Sequence, residues 1–195
     1  MIIELGHFAL CIALAAAIVQ ATVPLWGALR GGASAMRVAD TAAQVQFLGV
    51  AASFAALTYA FVVSDFSLRL VALNSHSSKP MLYKITGVWA NHEGSMLLWV
   101  LMLALFGVMI SVFGRMIPTA TRASVLAVQA MIGVGFYLFI LLTSNPFNRV
   151  VLPPIDGQGM NPLLQDPGVA FHPPLLYLGY VGFSTAFSFA VAALI

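Results

Sequence analysis

Long apolar runs separated by polar connections dominate the chain. Five windows of more than 20 residues contain no Asp, Glu, Lys or Arg, and about 20 apolar residues suffice to cross a bilayer. The windows are Leu5–Leu29, Thr41–Ser64, Gly94–Gly114, Ala123–Thr143 and Leu175–Ile195. Because the runs are continuous rather than alternating, they predict helices and not the strands of a barrel. The pattern therefore predicts an all-α fold, a polytopic integral membrane protein with about five transmembrane helices.

The connection between the second and third windows carries a helical pattern of its own, in "SSKPMLYKITGVWANHEG". Ser78 is a candidate N-cap and Pro80 stands near a first helical position. Apolar residues then recur on one face, at Met81, Leu82, Ile85, Val88 and Trp89. We expect one short amphipathic helix at the outer interface, either as the floor of a membrane-surface site or as a simple connector. Asn91 is expected to cap the third span, with Glu93 in its first turn.

The distribution of basic residues predicts the topology. The two short connections carry Arg30 with Arg37 and Arg115 with Arg122, whereas the same number of Lys and Arg is spread over two longer loops, 65–93 and 144–174. Basic residues concentrate in short cytoplasmic loops. The N-terminus and both long loops are therefore expected on the outer side, and residues 1–195 are interpreted as a single transmembrane domain.

Composition narrows the class further. Apolar residues make up 61% of the chain and charged residues 7%, with a mean hydropathy of +0.99, so membrane lipid is the expected surrounding. A net charge of +2 does not favour nucleic acid as a partner. Cys11 is the one cysteine and cannot form an internal disulfide. The N-terminal run has no basic region before it, which favours a retained span, and the last run ends without a polar flank, which suggests a piece of a longer or split protein.

Three of the four histidines have ordinary structural interpretations. The spans carry no charged residue, which argues against an ion pump or transporter. His7 is interpreted as an interfacial residue bonded to a neighbour, and His76 as a solvated loop residue. His92 is expected to cap or to pack at the start of the third span.

His172 has a distinct setting, in "QDPGVAFHPPLLYLGYVG". Pro173 and Pro174 are interpreted as the first positions of the fifth span, which would fix the direction of the chain and support the imidazole. A neutral imidazole near a helix N-terminus keeps the lone pair that a metal requires. Two interpretations stay open, a metal or haem ligand and a satisfied interfacial histidine. Gln165 and Asp166 are either partners that orient the imidazole or turn and cap residues.

Four longer motifs make the chain similar to a known family. They are "ELGHFALCIALA", "NSHSSKPMLYKITGVWANHEGSMLLW", "TSNPFNRV" and "MNPLLQDPGVAFHPPLLYLGYVGFS". From residue 4 to its end the chain resembles the N-terminal region of the CcmF family, the haem lyase components of the cytochrome c maturation system, within the wider haem-handling, CcsA-like group. The last motif is long and unusual, so the resemblance is specific.

The resemblance implies a function in cytochrome c biogenesis at the outer face of the bacterial inner membrane, or less commonly in plant mitochondria. Family members take b-type haem from the haem chaperone CcmE. They attach it to the C-x-x-C-H motif of apocytochrome c, which CcmH helps to present. The resemblance implies that His172 is an axial ligand to the haem iron, with Pro173 and Pro174 as supports.

Parts of the family pattern fall outside the sequence. The tryptophan-rich haem-binding region, the second outer histidine and the two intramembrane histidines of a resident haem would all follow residue 195. Trp26, Trp89 and Trp99 instead match the interfacial belt of a membrane protein. The alternative to a haem lyase is therefore a non-catalytic membrane scaffold that docks the maturation subunits.

Overall fold

The structure is a computed structural model that describes all residues from Met1 to Ile195. It contains five helices long and apolar enough to cross a membrane, so the predicted all-α, polytopic architecture is confirmed. The helices are α1 (Ile2–Arg30), α2 (Ala33–Val62), α3 (Arg69–Asn74), α4 (Met81–Thr86), α5 (His92–Phe113), α6 (Thr119–Thr143) and α7 (Pro167–Leu194). The fifth span starts at Pro167 rather than at Leu175, so the second long loop is shorter than predicted.

Small residues bring α1 and α2 into a close antiparallel pair. A Cβ atom on Gly27 would lie 2.7 Å from the Cβ of Ala35, so this crossing accepts no larger residue without movement. Small residues let membrane helices approach closely, which maximises van der Waals contact where the hydrophobic effect gives little drive. Gly31 and Gly32 form the tight connection between the two helices.

Three buried glutamines tie the helices together within the membrane. Gln20 donates to the carbonyl of Leu126 at 2.9 Å, and Gln129 donates to the carbonyl of Leu103 at 3.3 Å. Gln46 donates to the hydroxyl of Tyr137 at 3.0 Å, and the Tyr137 side chain is fully buried. A polar group in hydrocarbon finds a partner on another helix, so these bonds join α1, α2 and α5 to α6.

Polar contacts gather at the two ends of the bundle. At one end Glu4 pairs with Arg149, which joins the start of α1 to the second long loop. At the other end Asp40 pairs with Arg122 at 2.9 Å, which joins α2 to α6 near the two short connections. The N-terminus and both long loops therefore share one side, as predicted; we call it the outer side by that prediction.

The short helix α4 departs from its prediction in extent and in capping. It ends at Thr86, because Gly87 follows and Val88 turns inward to full burial. Pro80 stands at the N-cap position, and the Ser78 hydroxyl bonds to His76 instead of capping the helix. The predicted Asn91 cap of α5 is confirmed, since its side-chain oxygen accepts from the amide of Gly94 at 2.7 Å.

Candidate functional site

The start of α7 is built by an Asp-Pro pair. The carboxylate of Asp166 accepts from the amide of Gly168 at 2.7 Å, and Pro167 occupies the first helical turn. Asp is a strong N-cap, and Pro fits the first turn because its missing amide has no partner there. The capping interpretation of Asp166 is therefore confirmed. The side-chain amide of Gln165 donates to the carbonyl of Met160 at 3.2 Å and makes no hydrogen bond to the imidazole of His172.

Pro173 and Pro174 lie inside α7 and not at its start, so their predicted position is wrong. A proline within a helix cannot donate to the carbonyl four residues earlier. Pro174 thus leaves the carbonyl of Ala170 without a helical partner, and the indole Nε1 of Trp89 donates to that oxygen at 3.2 Å. The prolines therefore create an attachment point between α7 and the turn that precedes α5.

His172 is the sixth residue of α7 and is exposed. At 3.6 residues per turn it stands about 200° around the helix from Ala170, so it points away from Trp89. Leu175, Gly179 and Phe183 follow at helical spacing on the same face, and Leu175 and Phe183 are 66% and 74% exposed. The imidazole thus stands at the outer end of an open apolar face of α7.

Of the four histidines, His172 is the one that makes no hydrogen bond within the chain. His7 lies 3.2 Å from the amide nitrogen of Asn145 and stacks on Phe147. His92 lies 3.0 Å from the hydroxyl of Ser144. The predicted hydrogen bond of His7 to a neighbour and the predicted packing of His92 at the start of the third span are confirmed, and both imidazoles are engaged.

His76 is half-exposed and helps to hold the two long loops together. Its Nε2 lies 3.4 Å from a carboxylate oxygen of Asp156, and its Nδ1 accepts from the amide of Ser78 at 3.2 Å. Hydrogen bonds from Ser77 and Gly157, with a smaller contribution from His76, lower the pKa of Asp156. The predicted place of His76 on the surface is confirmed, although its side chain is hydrogen-bonded rather than freely solvated.

Main-chain bonds complete the junction between the long loops. The amide of Arg69 donates to the carbonyl of Asn148 at 2.9 Å, and the amide of Gln158 donates to the carbonyl of Ala72 at 2.8 Å. Leu68 forms an isolated antiparallel bridge with Arg149. The outer face is therefore an ordered layer at the outer ends of the helices.

Lys79 is a buried cation that the sequence did not reveal. Its side chain lies between the short helices, and its ammonium donates to the carbonyl of Asn74 at the end of α3 at 3.0 Å. The residue is only 8% exposed, and this burial, with the nearby charge of Lys84, lowers the pKa of Lys79 to about 8. The motif "SSKP" resembles a surface loop, so no local signal marks this lysine as buried.

Two tryptophans assigned to an interfacial belt pack between helices instead. Trp89 stacks on Phe54 with ring centroids 6.5 Å apart. Trp99 lies 5.3 Å from the ring of Tyr177, which anchors α7 to α5. Trp26 agrees better with the prediction, because it is more than half exposed and lies under the guanidinium of Arg30.

These features define a multi-pass membrane protein that presents a free imidazole at one end of an apolar helix face. A family model described as "Cytochrome C assembly protein" matches residues 89–195. The chain belongs to this cytochrome c assembly family.

Individual relatives agree with the family. The chain is 65% identical over 195 residues to a Rhodobacter capsulatus protein named "Cytochrome c-type biogenesis protein ccl1", covering 100% of this chain and 30% of that protein. It is 62% identical over 195 residues to "Cytochrome c-type biogenesis protein CycK" of Rhizobium meliloti, covering 100% of this chain and 29% of that protein.

A solved structure described as "Cytochrome c Heme Lyase CcmF" shares the fold, with a TM-score of 0.86 and 31% identity. The match covers 99% of this chain and 30% of that one. The chain thus spans about 30% of the length of the curated relatives it matches.

Proposed function

We propose that the chain is part of a cytochrome c haem lyase and that His172 is an axial ligand to the iron of the haem it handles. The observation that carries the proposal is the state of this imidazole, which is exposed, free of hydrogen bonds and placed beside an apolar face. A porphyrin needs this combination, since its iron takes a nitrogen lone pair and its macrocycle prefers an apolar surface. The names of the relatives support the same assignment.

The roles of the neighbouring residues follow from their places on α7. Pro174 supports His172 indirectly, because it frees the Ala170 carbonyl that fixes this end of the helix to Trp89. Pro173 likewise offers no amide to the carbonyl of Val169. The ordered outer layer holds α7 at its N-terminus through Asp166. His172 is a ligand in this proposal and not a general base.

The proposed reaction attaches b-type haem, received from a chaperone such as CcmE, to the C-x-x-C-H motif of apocytochrome c presented with CcmH. Each cysteine thiol adds across one haem vinyl group, so a carbon–sulfur bond forms and the thiol hydrogen passes to the other vinyl carbon. The haem supplies this reactivity, and the protein supplies position and electronics. We infer an inner-membrane location in which the N-terminus and the long loops face the periplasm. The arginines in or next to the short connections support this orientation, and they are Arg30, Arg37, Arg115 and Arg122.

The proposal is tested on the full-length protein, purified with its haem, by absorption spectroscopy and the pyridine haemochrome assay. With the haem chaperone bound, we expect His172→Gly to lose the haem received from the chaperone and added imidazole to restore it, while haem held by the intramembrane histidines that the resemblance implies stays in place. His76→Gly is the matched control, because His76 is also at the outer face but is bonded to the loops.

Unchanged haem content and unchanged cytochrome c assembly in His172→Gly would overturn the ligand assignment. That result would favour the scaffold alternative, in which the outer layer only docks the other maturation subunits.

A further inference from the structure

A groove of about 560 Å³ lies between α1 and α2, on a surface that the other helices of this chain leave open. Its α1 wall consists of Ile12, Ala15, Ala16 and Val19, which recur at helical spacing. The two alanines make the wall shallow, and Ile12 and Val19 are each about two-fifths exposed. This wall is a continuous apolar strip.

The α2 wall changes in polarity along its length. Ser34, Arg37 and Thr41 give its first turns, next to the short connection, three polar side chains around the apolar Val38. The deeper part of the wall is apolar throughout, with Ala42 and Val45. At a rise of 1.5 Å per residue, Ser34 and Val45 are about 16 Å apart along α2. That length is roughly half of a hydrocarbon core of about 30 Å. The groove is thus polar at the membrane surface and apolar towards the midplane, and it spans one leaflet.

Arg37 is the charged group at the polar end, and it makes no ion pair or hydrogen bond within the chain. Arg122 pairs with Asp40 at the same end of the bundle, and Arg30 lies over the ring of Trp26. The guanidinium of Arg37 is exposed at the rim of the groove. A planar guanidinium with five donors suits a phosphate oxygen pair.

We propose that this groove binds one anionic phospholipid from the leaflet on the side of the short connections. The phosphate lies against Arg37, with the hydroxyls of Ser34 and Thr41 as further donors. One acyl chain follows Ala15 and Ala16 towards Val45. Along its length the groove changes from charged and hydroxyl-bearing to apolar, as a phospholipid does from headgroup to acyl chain. The positive charge of Arg37 then lies against the negative charge of the phosphate.

The proposal goes beyond the haem lyase function and does not depend on it. It makes α1 and α2 a lipid-facing pair, whereas His172 belongs to α7. A transmembrane helix from elsewhere in the protein would be the competing occupant. Such a helix would fill the apolar end of the groove but would give the guanidinium of Arg37 no counter-charge unless it carried an acidic residue there.

The first test measures lipid retention by the full-length protein. The protein is placed in nanodiscs with equal amounts of phosphatidylglycerol and phosphatidylcholine, and retained lipids are counted by native mass spectrometry. A basic residue near a membrane surface contributes about 1 kcal/mol with anionic lipid, so we expect Arg37→Gln to reduce phosphatidylglycerol enrichment about fivefold. Arg115→Gln is the matched control, because Arg115 is exposed on the same side but lies outside the groove. Equal losses in the two variants would overturn the assignment.

The second test identifies the occupant directly. A photoreactive benzophenone side chain is placed at Ala15 in the full-length protein in native membranes, and the adduct is identified by its mass. We expect a phospholipid adduct whose yield falls when Arg37→Gln is added. A polypeptide adduct, or no lipid adduct, would overturn the proposal.

Discussion

The indole nitrogen of Trp89 and the carbonyl oxygen of Ala170 lie 3.2 Å apart, across 81 residues of sequence. This bond exists because Pro174 has no amide to offer that carbonyl. Trp89 and Pro174 lie far apart in sequence, yet both act on the same carbonyl oxygen. Together they fix the end of α7 that carries His172.

The first prediction concerns the loss of the donor of this hydrogen bond, the indole nitrogen of Trp89. Trp89→Phe keeps the stacked ring against Phe54 but leaves the Ala170 carbonyl unpaired. We expect the free energy of unfolding to fall by about 1–3 kcal/mol, the cost of a buried unsatisfied polar group. Hydrogen exchange of the first turns of α7 should rise, and Trp26→Phe serves as the control.

The same bond gives a stricter test through Pro174→Ala. Alanine restores a backbone amide for the Ala170 carbonyl, so Trp89→Phe should cost less in the Pro174→Ala background. A double-mutant cycle measures this coupling. Additive effects of the two substitutions would mean that the indole and the proline do not share the carbonyl.

The lowered pKa of Lys79 predicts that the free energy of unfolding depends on pH. Burial lowers the pKa of Lys79 to about 8 from its ordinary 10.5, so between these pH values the unfolded chain binds more protons than the folded one. Stability therefore rises with pH across that window, by an amount on the order of 2 kcal/mol relative to Lys79→Met. This rise is measured as the free energy of unfolding in mixed micelles at steps from pH 7.5 to 10.5. In Lys84→Met the rise should be smaller, because the neighbouring charge that depresses the pKa is gone.

The buried hydrogen bond between Gln46 and Tyr137 predicts that substitutions of the two residues change the free energy of unfolding non-additively. Tyr137→Phe leaves the Gln46 amide without its partner at 3.0 Å, and we expect a loss of about 0.6–2 kcal/mol in the free energy of unfolding. Adding Gln46→Leu removes the unpaired group and should recover most of the loss. A double variant as unstable as the sum of the single variants would show that the bond is not the stabilising element.

Gly157 predicts a steric limit in the outer layer. A Cβ atom there would lie 2.0 Å from the carbonyl oxygen of Ser75, so Gly157→Ala must move one loop away from the other. We expect a loss of about 2 kcal/mol or more and faster exchange at the amide of Gly159, which bonds to the same carbonyl. Gly179→Ala is the control, since its added methyl group meets nothing within 4 Å. Equal stability of the two variants would contradict the close approach.

The spans were predictable from the sequence because a bilayer imposes one requirement on every residue of a long window. Leu5–Leu29 and Ala123–Thr143 lack charges for that reason alone, and both appear as helices. The cap of α5 was also predictable, since Asn91 acts on an amide three residues away. Local signals with local partners are readable from a single sequence.

The start of α7 was not predictable in the same way, because two Pro-containing starts compete. Pro167 after Asp166 and the pair Pro173–Pro174 both match the signature of a helix N-terminus. The longer helix forms because Trp89, far away in sequence, takes up the carbonyl that Pro174 frees. Lys79 was missed for a related reason, since α3 and α4 bury it only once they have packed.

The bonds between the outer loops join backbone to backbone at Arg69 and Asn148 and at Ala72 and Gln158. Such bonds are made by every residue except proline on the donor side, whatever its side chain. These two main-chain bonds therefore do not depend on which side chains the four residues carry, in contrast to the close approach at Gly157. Substitution of an exposed side chain at one of these four positions is therefore expected to leave the main-chain framework that holds the outer end of α7, and His172 with it, unchanged.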